Sequence, residues 1–371
     1  MKQNSFTYIL CYILGAAGFN VAGTTIHRAF GIPAQWNPSD EYICLSGERL
    51  AAMREAFESI RLIIIDETSM VGCEELLFIH RRLNDIFGVN DELFGGLSVI
   101  ASGDLLQLPP VMKKAIFDLP RDELAKKYGS LWQENFKILE FDEIIRQSGD
   151  KEFCRILNDL RVGKLSEEDR ETLEKNIRSP VDPDYPADAT HIFCYNKQVD
   201  EHNLAKMYEL PGPYYTFEAQ DMKIDPRTGH KIIFNSSVSV SNGACKFFTV
   251  CLNARVVLTY NVDVSDGLAN SATGTVTGFY PDPDLDADPV HYKCKYILVQ
   301  FDHSKIGKSR RASMTNLCPL VTQGSTPINR VDVKVQYGRR RKFYTIRNQF
   351  PLSLAWAKTV HKEQGMPFLQ Y

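Results

Sequence analysis

The sequence lacks four things, and each lack removes a class of function. It holds no C-x-x-C pair, no G-x-x-x-x-G-K-[ST] loop, no apolar run long enough to span a bilayer, and little net charge. Its nine cysteines (Cys11, Cys44, Cys73, Cys154, Cys194, Cys245, Cys251, Cys294 and Cys318) are scattered, odd in number and without zinc spacing. They read as reduced thiols of an intracellular protein, which excludes a disulfide scaffold and a sulfur-bound metal. A net charge of −3 excludes a polybasic coat but leaves room for a basic groove on an acidic body. The apolar stretch Phe6-Thr-Tyr-Ile-Leu-Cys-Tyr-Ile-Leu14 imitates a secretory leader, yet it is too short to cross a membrane. Its β-branched and aromatic content suits a buried strand. The missing glycine-rich loop removes the usual backbone cradle for nucleotide phosphates.

Among what is present, Arg61-Leu-Ile-Ile-Ile-Asp66-Glu67-Thr-Ser-Met70 is the most informative stretch. A buried strand ending in two carboxylates can hold Mg²⁺ and aim a water at a γ-phosphate. The same residues could equally be an ordinary helix cap after a strand. A second segment weighs for chemistry: Phe94-Gly-Gly-Leu-Ser-Val-Ile-Ala-Ser-Gly-Asp104-Leu-Leu-Gln107-Leu-Pro-Pro-Val111. Its strand delivers a glycine, an aspartate and a carboxamide held by a stiff Pro109-Pro110 step. A carboxamide there can hydrogen-bond both an attacking water and a γ-phosphate oxygen.

At 371 residues, 44% hydrophobic and 24% charged, the chain is ordinarily globular and long enough for two or three domains. Residues 1 to about 140 alternate strand candidates (Tyr8 to Leu14, Leu62 to Ile65, Leu97 to Ala101) with helical spacing over Glu74 to Phe87, a parallel α/β pattern. A second unit is expected from about Phe141. It contains helices over Lys151 to Val162 and from Ser166, a loop over Ser179 to Ala189, and a strand over His191 to Tyr195. From about 205 to 345 short strands dominate, including Lys246 to Leu252, Ala254 to Thr259, Gly274 to Phe279 and Tyr296 to Phe301. The expected division is 1–140, then 141–270 with 345–371, and a β-rich insertion over 271–344.

The two carboxylate- and glutamine-bearing segments resemble motifs II and III of the Pif-one family of superfamily-one ATP-dependent DNA helicases. Five more segments agree in order. Gly15-x-Ala17-x-x-x-x-x-Gly23-Thr-Thr25-Ile-His27 is similar to motif Ia, and Ile144-Ile-Arg146-Gln147 to the arginine-bearing motif IV. Arg161-Val-Gly163-Lys164, then Asn261-x-Asp263-x-x-x-Gly267-Leu-x-Asn270, and Leu354-Ala-Trp-Ala-Lys-Thr359-Val-His361-Lys362-Glu-Gln364-Gly365 complete the set, the last being motif V. Together they reach from Gly15 to Gly365.

The resemblance implies tandem P-loop NTPase-type α/β motor domains, parallel sheets flanked by helices, with a β-rich insertion in the second. It implies ATP as substrate, Mg²⁺ as cofactor, and translocation on single-stranded DNA with duplex unwinding at junctions. Such work belongs to DNA repair, recombination and telomere maintenance in the nucleus or the mitochondrion, with no membrane partner. By the same resemblance Asp66 would hold the metal, Glu67 would orient water, Gln107 would sense the γ-phosphate and Arg146 would be an arginine finger. Gly365 would join them at the nucleotide. Thr25, His27, Thr359, His361 and Lys362 would touch the backbone of single-stranded DNA. The family's glycine-rich loop would lie before Gly15 and its motif VI after Tyr371, so a chain truncated at both ends and impaired in hydrolysis is expected. Two alternatives stay open: a non-catalytic single-strand-binding relic, and a structural partner of an intact helicase. The cluster Arg339-Arg340-Arg341-Lys342 beside Phe343-Tyr344 reads equally as a DNA-facing edge or as a charged edge strand.

Overall fold

The computed structural model describes residues 7–12, 24–33, 42–90, 92–121, 129–143, 149–179, 182–183, 185–186, 189–224, 231–233, 246–281, 294–316, 324–335 and 344–363. The chain forms two compact units, Met1–Ile13 with Ala22–Asp188, and Leu14–Val21 with Ala189–Tyr371.

The first unit is built on four parallel strands: β1 (Thr7–Tyr12), β2 (Thr24–Thr25), β3 (Ile60–Ile65) and β4 (Ser98–Ala101), in the order β2-β1-β3-β4. The isoleucine run of β3 forms a strand because β-branched side chains pack well on a pleated surface. Ile63 and Ile65 are fully buried. Helices α1 (Ile26–Phe30), α2 (Gly47–Phe57) and α3 (Cys73–Phe87) accompany the sheet. The apolar stripe of α3, with Leu76, Ile79, Leu83 and Ile86, shares one core with Cys11, Ile63 and Ile65.

Before β4 the chain turns through Phe94 and Gly95, both left-handed (φ 50° and 65°). That turn is latched to α3: the Phe94 N–H donates to His80 Nδ1 at 3.1 Å and the Gly95 N–H to Asn84 Oδ1 at 3.0 Å. A short α4 (Leu131–Asn135) is followed by α5 (Lys151–Arg161) and α6 (Glu167–Glu174). Ser166 and Asp169 form the capping box that starts α6. The compact-unit boundary lies at Asp188, well past the change of pattern near Phe141. Within that unit Arg161 on α5 reaches Asp104 at 2.7 Å.

In the second unit a parallel pair, β5 (His191–Phe193) and β17 (Ala357–Thr359), is flanked by α7 (Asn196–Tyr208). The remaining strands are antiparallel. β6 (Tyr215–Glu218) pairs with β9 (Phe247–Val250). β14 (Val331–Val335), β15 (Tyr344–Gln349), β7 (Gln220–Ile224) and β8 (Lys231–Ile233) form one sheet in that order. The largest sheet runs β13 (Ser325–Ile328), β12 (Cys294–Phe301), β11 (Thr273–Pro281), β10 (Arg255–Leu258), β16 (Leu352–Leu354). Its core gathers Val250, Val256, Leu258, Val276, Ile297, Val299 and Ile328. Strands from 271–344 therefore pair with strands on both sides of that interval, and short strands run through 215–354, much as the sequence pattern from about 205 to 345 suggests. Two short helices, α8 (Lys308–Met314) and α9 (Val360–Glu363), complete the unit. Arg347 and Asp221 face each other across β15 and β7, fully desolvated and bidentate at 2.7 and 2.8 Å.

Candidate functional site

In a doubly wound sheet, ligands sit beyond the carboxyl ends of the strands where the chain order reverses. Here β1 has β2 on one side and β3 on the other, so the reversal lies between β1 and β3. Asp66 stands at that place, its N–H donating to the Cys11 carbonyl at 2.9 Å. The Asp66 carboxylate accepts the Glu67 N–H at 3.0 Å, and both residues are half-buried. Glu67 is left-handed (φ 54°, ψ 48°), a conformation that costs a non-glycine residue about 1–3 kcal/mol. Strain of this kind gathers where a side chain must point in one particular direction.

The neighbouring strand end is tied to this one by backbone. The Ser102 N–H donates to the Ile65 carbonyl at 2.8 Å, and the Ser102 carbonyl accepts both the N–H and the hydroxyl of Thr68 at 3.1 Å. A Cβ on Gly103 would lie 2.6 Å from the Thr68 nitrogen and 2.6 Å from its Oγ1, so only glycine permits this approach. Beyond it, Asp104 organises the glutamine turn: its carbonyl accepts the Gln107 N–H at 2.9 Å and its carboxylate the Leu106 N–H at 3.0 Å. Arg161 closes on the same carboxylate. Gln107 is exposed at the tip. Asp66, Glu67 and Gln107, far apart in sequence, thus occupy adjoining loops at one sheet edge.

Among the described residues no cluster of three or more His, Cys, Asp or Glu could hold a metal. What the site does offer is the adjacent carboxylates of Asp66 and Glu67, oxygen donors of the kind Mg²⁺ takes together with phosphate and water.

Motif Ia lies at the end of β2. Thr25 caps α1, accepting the Arg28 N–H at 3.3 Å, and His27 follows on that helix with its side chain 34% exposed. Burial lowers the His27 pKa, with Glu75 pulling it up and Lys113 pushing it down. In the second unit, Thr359 ends β17 and is buried, while His361 on α9 is half-buried. Asn203 of α7 holds that strand: it accepts the Ala357 N–H at 2.8 Å and donates to the Leu354 and Ala357 carbonyls at 3.2 and 3.3 Å. Nothing in the motif spacing pointed to Asn203, Glu75 or Lys113. Arg146, Gly365, Gly15, Gly23 and the 339–342 cluster lie outside the described residues, as does the Lys362 side chain.

Residues 11–171 match the family model for PIF1-like helicases. The chain is similar to these helicases. It is 30% identical over 358 residues to the ATP-dependent DNA helicase PIF1 of Danio rerio, covering 95% of this chain and 48% of that protein. To the ATP-dependent DNA helicase RRM3 of Saccharomyces cerevisiae it is 24% identical over 406 residues, covering 95% and 52%. The chain thus spans about half the length of the curated relatives it matches. A Bacteroides Pif1 helicase crystallised with ADP-AlF3 and single-stranded DNA is 26% identical, with a TM-score of 0.65 over 99% of this chain and 76% of that one. The chain therefore has the α/β P-loop NTPase fold that the sequence resemblance implied.

Proposed function

We propose that the chain works as part of an ATP-dependent DNA helicase that uses MgATP to move along single-stranded DNA and open duplex at junctions. The observation that carries this reading is the joining of the Asp66-Glu67 and Gln107 loops at adjacent strand ends by Ser102, Gly103 and Thr68. Relatives named as ATP-dependent DNA helicases and a Bacteroides Pif1 structure holding ADP-AlF3 and single-stranded DNA support it. Another Bacteroides structure is of Pif1 bound to single-stranded DNA.

In this reading Asp66 would hold Mg²⁺, which would supply positive charge to the nucleotide's phosphates. Glu67 accepts a proton from the attacking water as the water oxygen bonds to the γ-phosphorus and the bond to ADP breaks. Gln107 orients that water and reports the γ-phosphate. Arg146 supplies positive charge to the transition state, and Gly365 lies at the nucleotide. Thr25 and His27 in one motor domain, and Thr359, His361 and Lys362 in the other, contact the DNA backbone. Residues 1–140 form the first motor domain, 141–270 with 345–371 the second, and 271–344 its β-rich insertion. The setting is the nucleus or the mitochondrion, in DNA repair, recombination or telomere maintenance.

Fluorescence anisotropy with single-stranded oligonucleotides tests the reading on the chain itself. Affinity should depend little on sequence and fall steeply with salt, because phosphate contacts release counterions. Replacing His361 and Lys362 together by alanine should weaken it. An isotherm indifferent to salt and to those substitutions would overturn the reading.

A further inference from the structure

Three segments with different proposed tasks meet at one buried carboxylate. Glu75, on the first turn of α3, is 1% exposed. Its Oε2 accepts the Gly72 N–H at 2.9 Å, at the exit of the Asp66-Glu67 segment. Its Oε1 binds Lys113 Nζ at 2.5 Å, two residues past Val111, at the exit of the Gln107 loop. The same Oε1 lies 3.7 Å from His27 Nε2. Backbone reinforces the meeting, since the Cys73 N–H donates to the Lys114 carbonyl at 3.3 Å and Gly72 bridges to Ala115. A Cβ on Gly72 would sit 3.3 Å from both Lys113 Cβ and the Lys114 carbonyl oxygen, so this junction is close-packed.

A carboxylate this buried is costly unless its oxygens are paired. Here the partners come from a nucleotide-side exit, a second nucleotide-side exit and the single-strand face. Capping α3 through the Gly72 N–H explains one oxygen; it does not require Lys113 or His27 on the other.

We propose that Glu75 is a positioning residue that joins the exits of the Asp66-Glu67 and Gln107 segments to His27. A change at the nucleotide loops thereby resets the pose of the single-strand contact. The inference rests on the single-strand face proposed above. Its electrostatics have a distinctive sign. The charged groups acting on His27 are Glu75, which raises its pKa, and Lys113, which lowers it, on top of the lowering by burial. Removing either partner moves the imidazole in opposite directions, whereas general loosening would relieve burial and move it upward in both variants.

The test uses the full chain with ¹⁵N-labelled histidine, the His27 resonance being assigned by its loss in His27→Gln. Glu75→Gln should move the His27 titration midpoint to lower pH, and Lys113→Met should move it to higher pH. At pH 7, Glu75→Gln should also weaken oligothymidine binding on the order of tenfold, the scale of one charge-assisted hydrogen bond. Lys113→Met, which leaves the carboxylate beside the imidazole, should weaken it less. If Glu75→Gln does not fold, the upward shift in Lys113→Met is still required. Unmoved midpoints, or midpoints moving the same way in both variants, overturn the proposal. Opposed shifts with unchanged oligothymidine affinity overturn it too, leaving Glu75 as a local brace. A wild-type chain with no salt-dependent affinity overturns the single-strand reading itself, and that result is visible without any variant.

Discussion

The two units secure their proposed functional segments in different ways. In the first, the loops carrying Asp66, Glu67 and Gln107 are set by backbone approaching backbone: Ser102 on Ile65 and Thr68, with Gly103 leaving no room for a side chain. In the second, the strand leading to Thr359 and His361 is held by a side chain, Asn203 from α7, and a separate sheet of that unit contains the buried Arg347–Asp221 pair. Rigidity by close approach suits residues that must hold an attacking water to a fraction of an ångström. A side-chain clamp tolerates backbone variation but fails when truncated. The first unit should thus be sensitive to added atoms, and the second to removed ones.

The largest effect tests the second unit. Asp221→Ala removes the counter-charge of a desolvated guanidinium, which should cost about 3–5 kcal/mol in urea unfolding of that unit. A loss within about 0.5 kcal/mol, the range of ordinary surface substitutions, would break the comparison.

Next comes pH, read here on a buried histidine of the first unit. Burial pulls the His80 pKa from 6.5 down to about 4, with Arg81 adding to it. As pH falls the unfolded chain binds the proton first. The contribution is complete above about pH 6.5 and is lost as pH drops through about 4, roughly 3 kcal/mol in all. Stability of the first unit measured from pH 7 to 4 should show this fall, and His80→Leu should flatten it.

Smaller effects separate addition from removal directly. Gly103→Ala should destabilise the first unit by about 1–3 kcal/mol, because the obstructing atoms belong to Thr68 backbone as well as its hydroxyl. Asn203→Ala should cost the second unit about 1–3 kcal/mol by leaving buried backbone groups of Ala357 unpaired. A harmless Gly103→Ala alongside a damaging Asn203→Ala would confine the comparison to the second unit.

Much of the first unit was legible in the sequence, because its signals are local. The isoleucine run before Asp66, the spacing of Leu76, Ile79 and Leu83, and the Ser166 cap each report a single element. The helix at Asn196–Tyr208 was missed for a physical reason. Its buried positions are Val199, Asn203 and Met207, so a polar residue sits in the middle of its inward stripe. Glu75 escaped notice in the same way: a buried polar side chain looks like surface until its partners are known. The short strands over about 205 to 345 were legible, but their partners were not, because one sheet pairs 255–258 with both 273–275 and 352–354. Pairing over such distances leaves no mark on local pattern.

The central claim is that Asp66, Glu67 and Gln107 form an ATP-hydrolysing centre. Phosphate release stimulated by single-stranded DNA tests it most directly, in a protein that joins this chain to the PIF1 helicase segments it does not span. The account predicts turnover that Asp66→Ala abolishes and that Glu67→Gln lowers by a factor on the order of 10²–10⁴, the range of a lost general base. A well-folded protein that binds MgATP and hydrolyses it equally well with either substitution would contradict the account.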